Sequence, residues 1–304
     1  MKIFVTGATG YVGGSVATRL LEAGHAVIGL ARSPEADAAL KKRGIEPLRG
    51  ELNLYTPFIE AARRVDAVIN AASSDNPFVA HALLTALKGS GKTLIQVSGS
   101  SVVGTYDNGE ASEHIFHEDT PFTPAPEKAM RVAIDQSILA ASLDGVRSIV
   151  FRPTLIYGRG IGVNAASVQI PKLIDAARKA GVPRHGGRGL NIWGNVHIDD
   201  VADAFLLALD RAPAGSLFYL ENAETNFKTA TQAIGRMLGL GEATQDWPIG
   251  DAVEGLGPGA HLSFGSNSRV RAGKARKVLG WAPKGGTLID EIENGVYREM
   301  YGKA

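Results

Sequence analysis

Cysteine is absent from all 304 residues. Its absence excludes a disulfide framework, cysteine–zinc and iron–sulfur sites, and a cysteine nucleophile. No apolar run approaches the roughly 18–20 residues that a membrane-spanning helix requires. The glycine turn that begins at Gly7 leaves no room for a signal peptide before the fold starts. We therefore expect a cytoplasmic protein that has no membrane partner.

An excess of one charge is also missing, because 32 Lys and Arg residues face 31 Asp and Glu residues, a net charge of +1. This balance gives no electrostatic reason to expect a nucleic-acid partner. Hydrophobic residues make up 44% of the chain and charged residues 21%, which is typical of a globular protein. The length predicts two domains or one enlarged α/β unit.

Short apolar runs alternate with helical stretches through the first half of the chain. The predicted strands are Ile3–Val5, Ala26–Leu30, Ala67–Asn70, Thr93–Val97 and Ser148–Phe151. The predicted helices are Tyr11–Ala23, Pro34–Arg43, Leu54–Arg64, Pro77–Lys88 and Pro126–Leu143. This alternation predicts an α/β fold, a Rossmann-like doubly wound parallel sheet with helices on both faces.

After about Gly158 the alternation becomes irregular. We predict helices at Ala165–Ala180, Asp199–Asp210, Phe227–Leu238, Arg271–Leu279 and Thr287–Met300, a further strand at Ser216–Leu220 and a loop at Gly250–Gly265. This pattern predicts a smaller C-terminal substrate lobe interleaved in sequence with the first domain. We expect residues 1–157 plus about 196–222 to form the dinucleotide domain, and about 158–195 plus 223–304 to form the lobe.

A glycine-rich turn follows the first predicted strand directly and opens the first helix. Gly7 permits the tight turn, Gly10 lets the backbone approach a diphosphate, and Gly13 allows close helix–strand packing. The helix N-terminus supplies free N–H groups and a partial positive charge. Three spaced glycines are weak evidence alone, but their position between a strand and a helix is typical of a dinucleotide-binding motif. We predict a dinucleotide site that also includes Thr9, Tyr11 and Val12.

Arg32 lies at the end of the second predicted strand. An NAD-selective site has a carboxylate at this point, which binds the ribose 2′-hydroxyl. A guanidinium pairs with a 2′-phosphate, and the Ser33 hydroxyl can add a hydrogen bond. An exposed arginine without a ligand is the competing interpretation. The sequence favours NADP (NADPH) over NAD.

Five motifs resemble those of the extended short-chain dehydrogenases/reductases, the NAD-dependent epimerase/dehydratase family. They are Thr6–Gly13, Asn70-Ala71-Ala72, Arg152–Gly158, Val196–Asp200 and Leu279–Pro283. The resemblance implies that the first domain holds the cofactor and the second closes over a nucleotide sugar or a carbonyl compound. It also implies that the adenosine and nicotinamide ends are lined by Leu52, Ala71, Ala72, Ser73, Ser98, Pro153 and Ile156.

The family's Tyr-x-x-x-Lys pair, which transfers a proton and holds the nicotinamide ribose, occurs nowhere in this sequence. Counting back from Asp135 places Glu127 and Arg131 at those two positions. Arg131 can still bind ribose hydroxyls, although a guanidinium does not titrate. Glu127 is either a catalytic residue or the partner of Arg131 in an i, i+4 ion pair.

Other candidates come from nearby segments. Ser98 or Ser100 would replace the family's carbonyl-binding serine, whose position Gly99 occupies; a turn or capping role is the alternative. Tyr106 is the nearest phenol that can supply a proton. We interpret the stretch from Glu113 to Asp119 as a solvated loop and expect no metal site there. We also predict that His197 and Asp199 start a helix, with Asp199 as its N-cap. Trp193 either walls a substrate pocket or packs in the lobe.

These patterns support an NADP-dependent oxidoreductase that acts on a small carbonyl or alcohol by hydride transfer. One alternative is an NADP-binding sensor without turnover. The other is a nucleotide-sugar epimerase or dehydratase, which is disfavoured because those reactions depend on the missing tyrosine. The expected partner is a small-molecule substrate, and a homodimer is left open.

Overall fold

A seven-stranded parallel sheet lies at the centre of the computed structural model, which describes residues 1–257 and 259–302. The strands in chain order are β1 (Lys2–Thr6), β2 (Ala26–Ala31), β3 (Glu46–Arg49), β4 (Ala67–Asn70), β5 (Thr93–Val97), β6 (Arg147–Pro153), β7 (Leu155–Tyr157), β8 (Arg184–Gly186), β9 (Ile192–His197), β10 (Ser216–Leu220), β11 (Ala223–Asn226) and β12 (Gln245–Trp247).

Helices connect these strands. They are α1 (Tyr11–Glu22), α2 (Pro34–Lys42), α3 (Tyr55–Arg64), α4 (Pro77–Leu87), α5 (Pro126–Ala140), α6 (Gln169–Ala180), α7 (Ile198–Arg211), α8 (Phe227–Leu238), α9 (Ile249–Leu256), α10 (Ala260–Phe264), α11 (Leu288–Glu293) and α12 (Val296–Tyr301). Within the two described ranges, no helix has both the length and the apolar character needed to cross a membrane.

The strand order of the central sheet is β10-β6-β5-β4-β1-β2-β3, and all six neighbouring pairs are parallel. The predicted doubly wound Rossmann-like fold is therefore confirmed. The chain reverses direction across the sheet between β1 and β4, and open sheets of this kind bind ligands outside the carboxyl ends of the strands at this point. The fold thus specifies one edge as the candidate site.

Alternate residues of the central strands enter two separate cores. Ile3 and Val5 face one core, together with Phe205 of α7. Phe4 faces the other and meets Phe58 of α3 edge-on, with ring centroids 5.6 Å apart. Because both faces are covered, the strands are apolar almost throughout, as parallel sheets require.

A third core holds the smaller elements together. It combines residues of α6, α8 and α11 with Trp193 of β9. Beside it lie a three-stranded sheet of order β11-β9-β7 and a β12-β8 pair. The boundaries of the dinucleotide domain and the substrate lobe remain predictions.

Several predicted elements require correction. The Gly250–Gly265 segment, predicted as a loop, contains α9 and α10 in its described part. The predicted Arg271–Leu279 helix ends in a single π-helical turn at Ala275–Leu279. The predicted Thr287–Met300 helix breaks into α11 and α12 at Gly295, whose N–H donates to the backbone carbonyl oxygen of Asp290. In these segments, packing and local hydrogen bonds override the apolar period.

Two further differences concern strands and boundaries. The edge strand β3 was not predicted, because Pro47 and flanking charges mask its apolar pattern. Helix α6 begins at Gln169, four residues after the predicted start.

Candidate functional site

The glycine turn between β1 and α1 forms a backbone cradle at the carboxyl edge of the sheet. Gly7 has φ +73°, and a Cβ there would lie 2.8 Å from the carbonyl carbon of Ala71. A Cβ on Gly13 would overlap the carbonyl oxygen of Gly7. No side chain caps the N-terminus of α1 at Gly10, so its first N–H groups are free for an anion. The cradle therefore fits the diphosphate of a dinucleotide.

Tyr11 contributes to this region through its anchored side chain. Its buried hydroxyl donates a 2.9 Å hydrogen bond to the carbonyl oxygen of Gly158. Burial raises the pKa of Tyr11 well above its ordinary value, so the phenol stays neutral. Tyr11 thus connects the start of α1 to the glycine loop after β7. Thr9 and Val12, also predicted site residues, lie half-buried at the turn.

Arg32 lies exposed immediately after β2, and no ion pair or side-chain hydrogen bond joins it to the rest of the described chain. The neighbouring Ser33 is the N-cap of α2, because its hydroxyl oxygen accepts a 3.2 Å hydrogen bond from the N–H of Ala36. Leu52 is half-buried beyond β3. The guanidinium is thus available to an anion, while the serine hydroxyl also serves the helix.

The carboxyl ends of β1, β4 and β5 are joined by buried polar side chains. The Thr6 hydroxyl donates to Asn70 Oδ1 at 2.6 Å, and Asn70 Nδ2 donates to Gln96 Oε1 at 2.8 Å. Directly after Asn70 come the predicted site residues Ala71, Ala72 and Ser73, of which Ala72 is exposed. These bonds hold the strand ends at fixed spacing beneath the edge where a dinucleotide would lie.

Ser98 and Ser100, predicted as catalytic candidates, use their hydroxyls inside the protein. Ser98 is 8% exposed and donates to Asp135 Oδ2 at 2.9 Å. Ser100 is 1% exposed, and the Ser268 hydroxyl lies 2.8 Å from its oxygen. Neither hydroxyl points to a free space, which favours the structural alternative for both. The half-buried Ser101, which sequence reasoning missed, accepts a 3.4 Å hydrogen bond from Arg131.

Arg131 is held by Asp75, which follows β4. Its Nε donates to Asp75 Oδ1 at 2.8 Å, and a second nitrogen bonds the other carboxylate oxygen. Of the two alternatives for Glu127, the i, i+4 ion pair with Arg131 is therefore not formed. Both carboxylate oxygens of Asp75 accept from the planar Arg131 guanidinium, which is the bidentate arrangement that arginine favours. The hydrogen bond from Arg131 lowers the pKa of Asp75, and its remaining nitrogen stays beside Gly99 and Ser101.

Glu127, at the start of α5, instead accepts a short hydrogen bond from the Tyr106 hydroxyl. This bond raises the pKa of Tyr106 and lowers the pKa of Glu127. His261 of α10 packs edge-on against the Tyr106 ring, with centroids 4.8 Å apart. Sequence reasoning named the phenol and the carboxylate separately. Their contact, and that with His261, comes from the tertiary fold.

A buried ion pair supports this edge from below. Asp135 of α5 accepts a 2.8 Å bond from Arg152 Nε in addition to the bond from Ser98. The Arg152 guanidinium lies over the rings of Phe122 and Tyr219, at 5.6 and 5.9 Å. Burial raises the pKa of Asp135. The pair positions the end of β6, where the predicted site residue Pro153 is buried; Ile156 of β7 is half-buried.

The remaining candidates have structural surroundings. His197, and not Asp199, is the N-cap of α7, since its Nδ1 accepts from the N–H of Asp199 at 3.3 Å. Trp193 packs in the third core and donates to the Ser266 carbonyl at 2.8 Å. Among residues 1–257 and 259–302, no three His, Asp or Glu side chains are grouped to hold a metal ion.

A cavity of about 520 Å³ opens elsewhere, between α6 and the β12–α9 segment. It is lined in part by Lys172, Lys179, Arg184 and Trp247. None of its lining residues belongs to the glycine turn or to the edge described above, so cavity size alone does not locate the chemistry.

Known proteins resemble this chain over most of its length. The model of the NAD-dependent epimerase/dehydratase family matches residues 3–218. An uncharacterized protein of Schizosaccharomyces pombe is 30% identical and aligns with 98% of this chain and 100% of its own. A 2-alkyl-3-oxoalkanoate reductase of Stenotrophomonas maltophilia is 28% identical over 74% of this chain and 71% of its own.

Among solved structures, a dTDP-glucose 4,6-dehydratase of Bacillus anthracis in complex with NAD superposes with a TM-score of 0.78. The alignment covers 99% of this chain and 96% of that one, at 20% identity. At this identity the likeness supports the fold and leaves the reaction open.

Proposed function

The chain belongs to the NAD-dependent epimerase/dehydratase family, and from that premise we propose that it is an NADP-dependent oxidoreductase. Its substrate is a small carbonyl compound or the corresponding alcohol. The cradle of Gly7, Gly10 and Gly13 would hold the diphosphate, and Arg32 would pair with the 2′-phosphate. When bound, the nicotinamide ring supplies or accepts a hydride.

The observation that carries this proposal is the combination of an uncapped α1 N-terminus with an exposed Arg32 that follows β2 and has no partner in the part of the chain that the structure describes. The first supports binding of a diphosphate, and the second supports a 2′-phosphate over a bare ribose. Arg131 supports a ribose contact, because Asp75 orients it beside Gly99 and Ser101. The similarity to a reductase of 3-oxo acids supports a carbonyl substrate.

A non-catalytic NADP sensor is the second candidate. It is favoured by Glu127 and Arg131, which stand where the family's proton-transfer tyrosine and lysine would be. A nucleotide-sugar epimerase or dehydratase is less favoured for the same reason, since those reactions depend on that tyrosine.

Calorimetric titration with NADPH, NADP⁺, NADH and NAD⁺ tests the proposal. We expect NADPH to bind at least about tenfold more tightly than NADH, since the 2′-phosphate adds a charge-assisted contact. Absorbance of the reduced nicotinamide is then followed over a panel of ketones, aldehydes and 3-oxo acids. Binding with turnover supports the oxidoreductase, binding without turnover supports the sensor, and absence of binding rejects both.

A further inference from the structure

Tyr106 and Glu127 belong to two segments that adjoin the carboxyl edge of the central sheet. Tyr106 is in the loop that leaves the carboxyl end of β5, and Glu127 is in the first turn of α5, which begins at that same edge. One strand, β4, separates β5 from β1 and its glycine turn. Two strand spacings amount to about 10 Å, a distance that one ribose and its ring span from a diphosphate.

Three titratable side chains from separate segments meet at this place. The Tyr106 hydroxyl donates to the Glu127 carboxylate, and the His261 ring packs edge-on against the phenol ring at 4.8 Å and 75°. His261 Nδ1 is enclosed and has no hydrogen-bond partner within the described chain. Tyr106 nevertheless remains 45% exposed. The phenol is therefore both oriented and accessible to a small molecule.

The neighbouring polar groups are already engaged. The hydroxyls of Ser98 and Ser100 bond Asp135 and Ser268. Arg131 is bidentate on Asp75. The hydroxyls of Ser98, Ser100 and Tyr106 all have an internal partner, and of these three side chains only Tyr106 is exposed to solvent.

We propose that Tyr106 is the proton-transferring catalytic residue of this protein, that Glu127 positions its hydroxyl, and that His261 supports the phenol ring. The inference rests on the proposed oxidoreductase function. In the reducing direction the carbonyl carbon gains the hydride and its C=O π bond breaks, while the nicotinamide is oxidised. The Tyr106 proton leaves its hydrogen bond to Glu127 and passes to the carbonyl oxygen, and the phenolate regains a proton from water. Alcohol oxidation reverses each transfer.

Glu127 gives this arrangement a pH signature. The groups that face the phenol are Glu127 and, behind it, Lys128 from α5, and His261 from α10. The bond to Glu127 raises the pKa of Tyr106, so the phenol stays protonated and able to donate at neutral pH. Reduction should therefore persist through neutral pH and fall as the phenol ionises on the alkaline side.

The Tyr106→Phe variant removes the hydroxyl and keeps the ring against His261. We expect kcat for carbonyl reduction to fall at least about 100-fold, with the Kd for NADPH within about twofold of the wild type. Tyr301→Phe, at the distant C-terminal helix α12, is the matched control and should leave both values unchanged. Retention of wild-type kcat by Tyr106→Phe would overturn the assignment.

Glu127→Gln separates positioning from folding, because the amide oxygen still accepts from the phenol while the negative charge is gone. We expect the alkaline limb of the pH–kcat profile to move to lower pH, since the pKa of Tyr106 loses its upward shift. An unmoved limb would overturn the positioning role.

A crystal structure with bound NADPH provides a readout that needs no turnover. The Tyr106 hydroxyl should lie within about 6 Å of the nicotinamide C4 atom, close enough to share a carbonyl oxygen with it. A greater distance overturns the inference and leaves the proposed function standing. Failure of every nicotinamide dinucleotide to bind overturns both.

Discussion

Arg32 is the residue on which the proposed preference for NADP depends. It is exposed beyond the last residue of β2, and Ser33 beside it already caps α2. Among residues 1–257 and 259–302 this guanidinium has no ion-pair or hydrogen-bond partner, so pairing with a phosphate breaks no bond observed there. Residue type and position after β2 are the basis of the predicted 2′-phosphate contact, because the turn after the second strand lies near the ribose in folds of this topology.

Reversal of the charge at Arg32 tests this residue directly. The Arg32→Glu variant should raise the Kd for NADPH about 10–100-fold, because a carboxylate repels the 2′-phosphate, and change the Kd for NADH by less than about threefold. Isothermal titration calorimetry measures both. Arg64→Glu, with an arginine side chain that is 77% exposed at the end of α3, serves as the control. Equal losses for the two cofactors would contradict the 2′-phosphate assignment.

Arg131 illustrates what a residue-by-residue reading misses. Its position and its cationic character were predicted, and so was its location on α5. Its partner was not, because Asp75 lies 56 residues away in sequence and only the pairing of β4 with β5 brings it near. Local spacing favoured Glu127 instead. Contacts of this separation depend on the fold.

At the scale of elements, the β1–α1 unit is closely packed. Its helix packs so closely on the turn that Gly13 leaves no room for a Cβ, and the anchored Tyr11 connects α1 to the loop after β7. The missing side chain of Gly13 allows α1 to pack closely on the turn, and the free N–H groups leave the backbone open to an anion.

Gly13→Ala should disturb this unit. The added methyl group overlaps the Gly7 carbonyl oxygen, so the turn must move, at a cost of about 1–3 kcal/mol in the free energy of unfolding. Cofactor affinity should fall at least about tenfold. Urea unfolding and calorimetry measure the two effects.

Gly250→Ala is the matched control for this substitution, since a Cβ on Gly250 of α9 meets open space. It should keep wild-type cofactor affinity and equal or slightly greater stability. If the Gly13 and Gly250 variants behave alike, close packing at the turn is not what restricts Gly13.

Elements differed in how well they could be predicted. The strands β1, β2, β4, β5 and β6 and the helices between them were predicted within a few residues, because buried parallel strands and amphipathic helices carry strong periodic signals. The short strands β7, β8, β9, β11 and β12 were not. They consist of three to six residues each, and tertiary pairing decides their conformation.

At the scale of the whole molecule, Asp200 of α7 holds a segment that runs from a core of the central sheet to the third core. This buried carboxylate accepts from the N–H groups of Lys284 and Gly285 at 2.7 and 3.0 Å, and its backbone carbonyl accepts from Trp281 Nε1 at 2.8 Å. Trp281 packs in the core of the central sheet, and Leu288 shortly after it packs in the third core. Asp200 therefore anchors the segment that connects them.

Asp200→Ala should loosen this connection. Two hydrogen bonds to a buried charge are lost and two N–H groups lose their partner, so we expect a loss of about 2–4 kcal/mol in the free energy of unfolding. Thermal and denaturant unfolding give the measurement. Asp210→Ala on the same helix, where the side chain is 86% exposed, should change stability by less than about 0.5 kcal/mol. Comparable losses for both variants would argue against the anchor.

The amino-acid order alone was sufficient for the doubly wound sheet, the glycine cradle and the cation at Arg32, since each follows from local periodicity or from a turn whose chemistry is set by adjacent residues. The convergence of Tyr106, Glu127 and His261, the capture of Arg131 by Asp75 and the withdrawal of Ser98 and Ser100 into internal bonds required the folded chain. Side chains far apart in sequence meet only once strand order and loop packing are established, and one-dimensional spacing does not encode those distances.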